Sequence, residues 1–596
     1  MCIHQNKSVR GHSSMRIRTI KGATVMRVLV VTLALFSGHF AHAQAIPTDA
    51  QPTCTISQTA FNAFFEGGNV VLNGVVNPAN SVDFSNVPNC PFYQWSEQMF
   101  LWLTSPSPSR YGGSGRIFDS PVFYDVSPPD QTTGERTFIP HAPRFIRRFN
   151  LRAAQAGPSG LPVTFDKQGR LLQIAPPQAG PHGLPLIRNT AGDLVEIEKS
   201  SINAEKQPVF SDRLGRTIEH TLPQTHARFR VLAPGNVITV QRFNIGGKSI
   251  LIDPNGNVID TEEGQADNGV LIAQTGSLVY YVTMVNDVFA YFLTGTKNGQ
   301  ISTNNQFPTT QSDLNQITTF AAAHGKTFVD PNALAIELKT SWVEAGGLSN
   351  LSSYITMMAT IPTYDQTDPL NWVPNGEKTV EMALVGLHVV GSTAGHPEMI
   401  WATFEHFGNT PNAAYTYNST TGQKTVNQNT SGNWLFATNN ATAPFNVERQ
   451  QYKAPNICVT SNTFGVCGTS GSIGPSNALR SKVWGAASNL SPNPIDGSAT
   501  ASNTELISLN TNVLGMMPAG DVRNNYFMMG ATWTIGGAPP NNSNQVGTNR
   551  LANTTMETFQ QGADNTTTNG SSNCFFCHTS NQTGVSHVFN SLKPLF

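Results

Sequence analysis

The chain has 596 residues, only 12% of them charged, and its formal net charge is −1. That balance excludes the basic footprint of a nucleic-acid binder, and no acidic or basic run marks an interaction tail. The length is enough to bury a large core in one to three domains, with Asn, Thr, Ser and Gly taking over the solubilising role of charge.

At the start, Arg16, Arg18, Lys21 and Arg27 precede an apolar run over 28–36 that is too short to span a bilayer, and Ala41-His42-Ala43 supplies a small-x-small cleavage pattern. Residues 1–43 are expected to be a signal peptide, with the mature chain beginning at Gln44; an uncleaved anchor is the competing possibility. The charged leader before Met26 is long, so Met15 and Met26 are alternative starts. No later stretch is apolar for long enough to form a transmembrane helix. The expected location is therefore periplasmic or extracellular.

The body, 44–545, is expected to be one or two β-rich domains, because scattered glycine and proline favour turns and short strands. Its clearest helix is 93–103: Pro91 suits a first turn, Phe92, Trp95, Met99 and Trp102 recur at helical spacing, and Pro106 stops the run. This face is read as core, with a cofactor pocket as its other use. From 106 to 224 the pattern is one of loops and short strands, such as Pro121-Val122-Phe123-Tyr124. Strand signals follow at 237–240, 249–252 and 277–282, with Asp253-Pro254-Asn255-Gly256 as a turn between two of them. A short helix is expected at 313–324 and a strand at 335–342.

Residues 378–390 are apolar on both alternating faces, with Val380, Met382 and Leu384 on one and Ala383, Val385, Leu387 and Val389 on the other. Such a strand is covered on both sides. Residues 399–404 read as its partner across a turn at 391–397, the two forming a hairpin in mid-sheet. Beyond Asn409 the chain is rich in Asn, Thr, Ser and Gly, with no fixed-period repeat. A short helix is expected at 550–560. The fold class that follows is α+β, a large β-rich body with a short C-terminal segment, 546–596.

That segment holds the most specific pattern in the chain, Asn573-Cys574-Phe575-Phe576-Cys577-His578. Two cysteines separated by two residues and followed at once by histidine is the attachment pattern for c-type haem. A tight disulfide is an alternative. A thioredoxin-like pair wants a strand before it, whereas the approach over 565–573 is a polar loop, and a structural zinc wants four ligands where no second cysteine pair has suitable spacing. With Cys2 in the leader and this pair set aside, Cys54, Cys90, Cys458 and Cys467 allow three pairings. The sequence-local choice is Cys54–Cys90 and Cys458–Cys467, in an oxidising compartment that permits both; free buried thiols are the alternative.

The motif resembles that of c-type cytochromes. The resemblance implies one covalent haem c, thioether bonds to Cys574 and Cys577, His578 as the proximal axial ligand, and attachment outside the bacterial cytoplasm. The phrases at 95–103, 378–390 and 399–404 are also similar to large exported cytochrome c-family proteins with a single C-terminal motif. The chain departs from small soluble cytochromes, which carry the motif early and a methionine ligand downstream: only 18 residues follow His578 and none is methionine. The sixth ligand is then His587, a histidine of the body, His388 or His406, or none.

If Val390 pairs with Met399, His388 lies opposite Trp401 and His406 opposite Ala383, so the two histidines point to opposite sides of the sheet. His396-Pro397-Glu398 and Glu405-His406 carry zinc-ligating residue types but match no zinc-protease spacing. Trp95, Trp102 and Trp401 are the bulky candidates beside an open iron face. The expected function is single-electron transfer with a redox partner protein or a small-molecule electron donor or acceptor. Alternatives are a haem-dependent oxidase or peroxidase, and a haem-free secreted binding protein whose CxxC is a disulfide. No catalytic residue is singled out.

Overall fold

A computed structural model describes residues 46–596 apart from 88, 114, 129–134, 143–145, 152–162, 167–170, 176–179, 203–207, 221–237, 246–247, 253–257, 260, 263–268, 303, 454, 461–466, 482, 486–496, 541–543, 562–573, 579–582 and 587. The expected signal segment, the 253–256 turn, the 565–573 approach to the motif and His587 all lie outside the described residues. Residues Ala41–Phe596 cluster as one compact unit.

Its centre is a large sheet. The strands used below are β1 (Phe123–Val126), β2 (Phe138–Pro140), β3 (Tyr280–Asn286), β4 (Ile336–Glu344), β5 (Thr356–Asp365), β6 (Asn371–Thr393), β7 (His396–His406), β8 (Tyr526–Thr534) and β9 (Gln545–Gly547). They lie in the order β2-β1-β3-β4-β6-β7-β8-β9, and every pairing along that path is antiparallel. β5 pairs with the first part of β6. The β-rich body expected from composition is present, and the 378–390 pattern falls in the second half of β6, where 382–387 and 389–393 are buried.

β6 and β7 form the expected hairpin, but its turn is tighter than 391–397. Thr393 pairs with His396, leaving Ala394-Gly395 at the tip, where Gly395 has φ +76°. This is the left-handed region that glycine enters without a Cβ clash. The register also corrects the expected one: Val390 pairs with Trp401 and His388 with Thr403. Pairing Val390 with Met399 missed the irregularity between Gly391 and Thr393 and the positive φ of 68° at Met399. The slip is two residues, an even number, so each side chain keeps its face.

One face of the sheet carries the apolar layer. The expected helix is α1 (Cys90–Leu103), with Pro91 in its first turn. Its Phe100 stacks on Phe404 at 4.3 Å, its Phe92 on Trp533 at 4.0 Å, and Trp95 lies over Gly391. Trp95 and Trp102 are core, fully covered on this face. The expected helix at 313–324 is α3 (Gln311–Ala323), closed by a Thr310/Asp313 capping box.

Among the described residues, a short helix at Gln58–Phe64 and two longer ones, α2 (Asp287–Lys297) and α4 (Ala499–Met516), escaped the periodicity reading. α4 buries polar residues among its apolar ones: the Asn510 amide donates to Met528 O at 2.9 Å and accepts from Met528 N at 2.8 Å, while Asn503 donates to Thr416 O at 2.8 Å. A helix that packs through hydrogen-bonded Asn and Ser leaves no clean apolar stripe. α1 and α4 enclose a small cavity faced by Glu97, Asn510, Arg523 and Tyr526. Burial pushes the Glu97 carboxyl up to about 8.

Between β2 and β3 the chain makes smaller sheets. The strand signals at 237–240 and 249–252 become Ile238–Ile245 and Lys248–Ile252, paired with each other, and that at 277–282 enters β3 at Tyr280. Disulfides join Cys54 to Cys90 and Cys458 to Cys467 with Cα–Cα distances of 5.3 and 5.5 Å. Among the described residues, no helix is long and apolar enough to cross a membrane.

Candidate functional site

The second face of the sheet is polar at its centre, and register explains why. Period-2 alternation puts Glu337, Lys339 and Ser341 of β4 on one face, and antiparallel pairing aligns them with β6 and β7 in three rows. The rows are Ser341–Gly386–Glu405, Lys339–His388–Thr403 and Glu337–Val390–Trp401. The C-terminal part of the chain lies across these rows and satisfies them in turn.

On the first row, Ser341 Oγ lies 2.7 Å from Thr555 Oγ1, and Thr554 N–H donates to Glu405 Oε1 at 2.5 Å. Glu405 and its ion-pair partner Arg480, at 2.6 Å, are both fully buried. On the second row, Asn553 Nδ2 donates to Thr403 Oγ1 at 2.8 Å, and His388 Nε2 lies 3.0 Å from Glu557 Oε1. On the third, Ser586 Oγ donates to Glu337 Oε2 at 2.6 Å, and His578 packs on Trp401 with ring centroids 4.2 Å apart. The helix expected at 550–560 is absent: residues 551–553 are irregular, 554–556 form a turn, and a 3₁₀ turn follows at Thr558–Gln561. Asn553, Thr554 and Thr555 spend their hydrogen bonds on the sheet and on local turns, the competition that disfavours helix at such residues.

The CxxCH motif follows on this face. Cys574–Cys577 makes one helical turn, α5, and His578 N–H donates to Cys574 O at 3.0 Å. His578 Nδ1 lies 2.8 Å from the carbonyl oxygen of Val585. A carbonyl can only accept, so Nδ1 carries the hydrogen and Nε2 of the neutral ring carries the lone pair. Phe575 is buried against Trp401 and, with Val585, Val588, Phe589 and Leu592, joins the apolar cluster of α2.

Cys574 is a free thiol. Burial pushes its pKa well up, the neighbouring Glu557 charge adds to that, and Lys339 and the local backbone only partly oppose it. Such a thiol stays neutral and is a poor redox nucleophile. For Glu557, burial pushes the pKa up, but the His388 imidazole, Lys339 and the Asn553 N–H outweigh it, and the carboxyl lies below its ordinary value. The side chains of Phe576 and Cys577 lie outside the described residues.

Of the body histidines, His388 shares the face of Cys574 and His578. His406 does not: it stacks on Tyr354 at 3.8 Å on the α1 side, with Nε2 3.2 Å from Ser353 O and Nδ1 accepting from Gly408 N at 3.0 Å. His396 is buried in a pair with Glu398, at 2.8 Å, beside Phe92. Trp401 is thus the tryptophan next to the motif, with Trp95 and Trp102 across the sheet.

Sequence reasoning missed Glu337, Lys339, Glu557, Val585 and Ser586. The two β4 residues were within reach, since the 335–342 strand alternates Glu337, Lys339 and Ser341 against Ile336, Leu338 and Thr340. The others come from irregular chain, where no periodicity says which residue faces the sheet. No protein-family model, curated protein or solved structure matches the chain.

Proposed function

We propose that the chain is an exported c-type haem protein acting in single-electron transfer, with one haem held covalently by Cys574 and Cys577 and with His578 as its proximal ligand. The observation that carries this reading is the hydrogen bond from His578 Nδ1 to the Val585 carbonyl. A metal-bound imidazole needs its other nitrogen tied to an acceptor, which fixes the tautomer and raises the basicity of the ligating atom. The donor chemistry fits the group: a thiol free of disulfide at Cys574, an imidazole with its lone pair on Nε2, and an aromatic wall at Trp401. When bound, haem iron supplies a ferric–ferrous couple that carries one electron.

The chain's own residues do the rest. The polar rows under the C-terminal segment hold the motif on a rigid sheet, and the Phe575–Phe589 cluster keeps water from one side of it. Lys339, His388 and Glu557 set the charge beside Cys574. Of His388 and His406, His388 is on the same side of the sheet as His578, and it would be the body residue able to help hold the haem. Two disulfides and the absence of a membrane-crossing helix among the described residues are compatible with a periplasmic or extracellular location.

Optical spectra of the purified exported protein test the assignment of function. Low-spin ferric and ferrous spectra with slow or absent carbon monoxide binding are expected. A high-spin ferric spectrum with rapid carbon monoxide binding would instead place the protein among haem-dependent oxidases or peroxidases. The partner is then a redox protein or a small-molecule electron donor or acceptor.

A further inference from the structure

We infer that Glu337 and Lys297 are positioning residues: they clamp the C-terminal strap, 583–596, that presents the Val585 carbonyl to His578. The inference rests on the proposed role of His578 as an axial ligand, and it adds which body residues set the imidazole's orientation.

Among its described residues the strap has little regular structure of its own beyond a 3₁₀ turn at Thr583–Val585 and a bridge from Leu592 to Arg136. Its position is therefore fixed from outside, and the fixings are specific. Close to His578, Ser586 Oγ donates to Glu337 Oε2 at 2.6 Å, one residue from the Val585 carbonyl. Thr583 N–H donates to Asn305 O at 2.9 Å on the other side of the same turn. Farther along, Lys297, at the C-terminus of α2, donates through Nζ to Asn590 O at 3.0 Å and to Leu592 O, and lies over the Phe589 ring at 5.8 Å. Phe589 in turn packs among Phe289, Phe292 and Phe307.

The last residues are tied as well. Arg136 N–H donates to Ser591 O and Lys593 N–H to Arg136 O, both at 2.8 Å, and Leu595 N–H donates to Thr294 Oγ1 at 3.0 Å. Glu337 sits on the sheet row of Trp401, so one strand system supports both the wall behind the imidazole and the turn that orients it. Side chains that hold a ligand's hydrogen-bond partner in place act on the metal through that partner, by changing the ligand's basicity and angle.

The test uses the full chain in two forms. In the haem-free protein, nitrogen-resolved NMR reads the exchange-protected Nδ1–H of His578. In the haem-loaded protein, the midpoint potential reads imidazole basicity. Glu337→Ala, Ser586→Ala and Lys297→Met are each expected to lose or shift the Nδ1–H signal and to raise the potential, since a less basic imidazole stabilises ferric iron less. Glu337→Gln, Ser586→Thr and Lys297→Arg keep an acceptor or donor and are expected to restore the signal. An unchanged Nδ1–H signal and potential in all three disruptive variants, with a strap that is merely cut faster by protease, would overturn the inference. If the wild-type protein carries no covalent haem, the proposed function fails, and the NMR signal alone still decides whether the clamp orients His578.

Discussion

At the scale of single residues, the chemistry concentrates in groups with few ways to be satisfied. His578 has a determined tautomer because its Nδ1 neighbour is a carbonyl, and the half-buried Cys574 keeps its thiol neutral because desolvation and the neighbouring Glu557 carboxylate both push its pKa up. Replacing both Cys574 and Cys577 with alanine is expected to leave an exported polypeptide that gives no haem-dependent peroxidase stain after denaturing electrophoresis; a retained stain would show that the thiols are not the attachment points. Away from the motif, Glu97 is the residue with the sharpest pH consequence. Its folded pKa of about 8 is raised from an ordinary 4.5. The folded state therefore keeps a proton that the unfolded chain gives up, and the stability this represents is present below the ordinary value and lost as pH rises towards 8. Urea melts at pH 5 and pH 8 should show Glu97→Gln gaining on the wild type by on the order of 3 kcal/mol across that interval, at about 1.36 kcal/mol per pKa unit. A constant difference would mean the carboxyl is ionised throughout.

At the scale of elements, the fit of the C-terminal chain on the sheet is decided by small residues and buried charges. A Cβ on Gly386 would lie 2.4 Å from Thr555 Oγ1 and 2.6 Å from Ser341 Oγ, so Gly386→Ala is expected to lift residues 553–555 from β6 and cost about 1–3 kcal/mol. Hydrogen exchange should rise at Thr554, whose N–H is bonded to Glu405; unchanged exchange there would show that the contact gives way without cost. Arg480→Met leaves Glu405 buried without its cation, a change expected to destabilise by about 3–5 kcal/mol in a denaturant melt. These elements were unequally legible. β6 and β7 could be read because two-sided burial leaves a continuous apolar run, and α1 because its large side chains recur at helical spacing. α4 could not, because Asn503, Ser508 and Asn510 do the packing that a stripe of leucines usually does. Nor could the route of 551–561, where Thr and Asn answer to the sheet and not to their own sequence neighbours.

At the scale of the whole molecule, one sheet divides the labour: an apolar face closed by α1 and α4 supplies the core, and a polar-centred face carries residues 553–557 and the CxxCH motif. The motif's place at the end of the sequence is thus no sign of a loose tail. The motif, both disulfide pairings and the placing of His388 and His406 on opposite sides of the sheet could be read from sequence, since each depends on local spacing or on parity along a strand. The partners of His578 could not, since Val585 and Ser586 are brought back to it by a turn that no periodicity announces. The central claim is that Cys574 and Cys577 carry haem. Arg550 is the last site open to trypsin before the motif, and Lys593 is shielded by Pro594, so digestion yields a single peptide over 551–596. Its mass should equal the unmodified peptide plus one haem, both thiols added across the vinyl groups. A peptide at its unmodified mass, or two hydrogens lighter from a Cys574–Cys577 disulfide, would contradict the account.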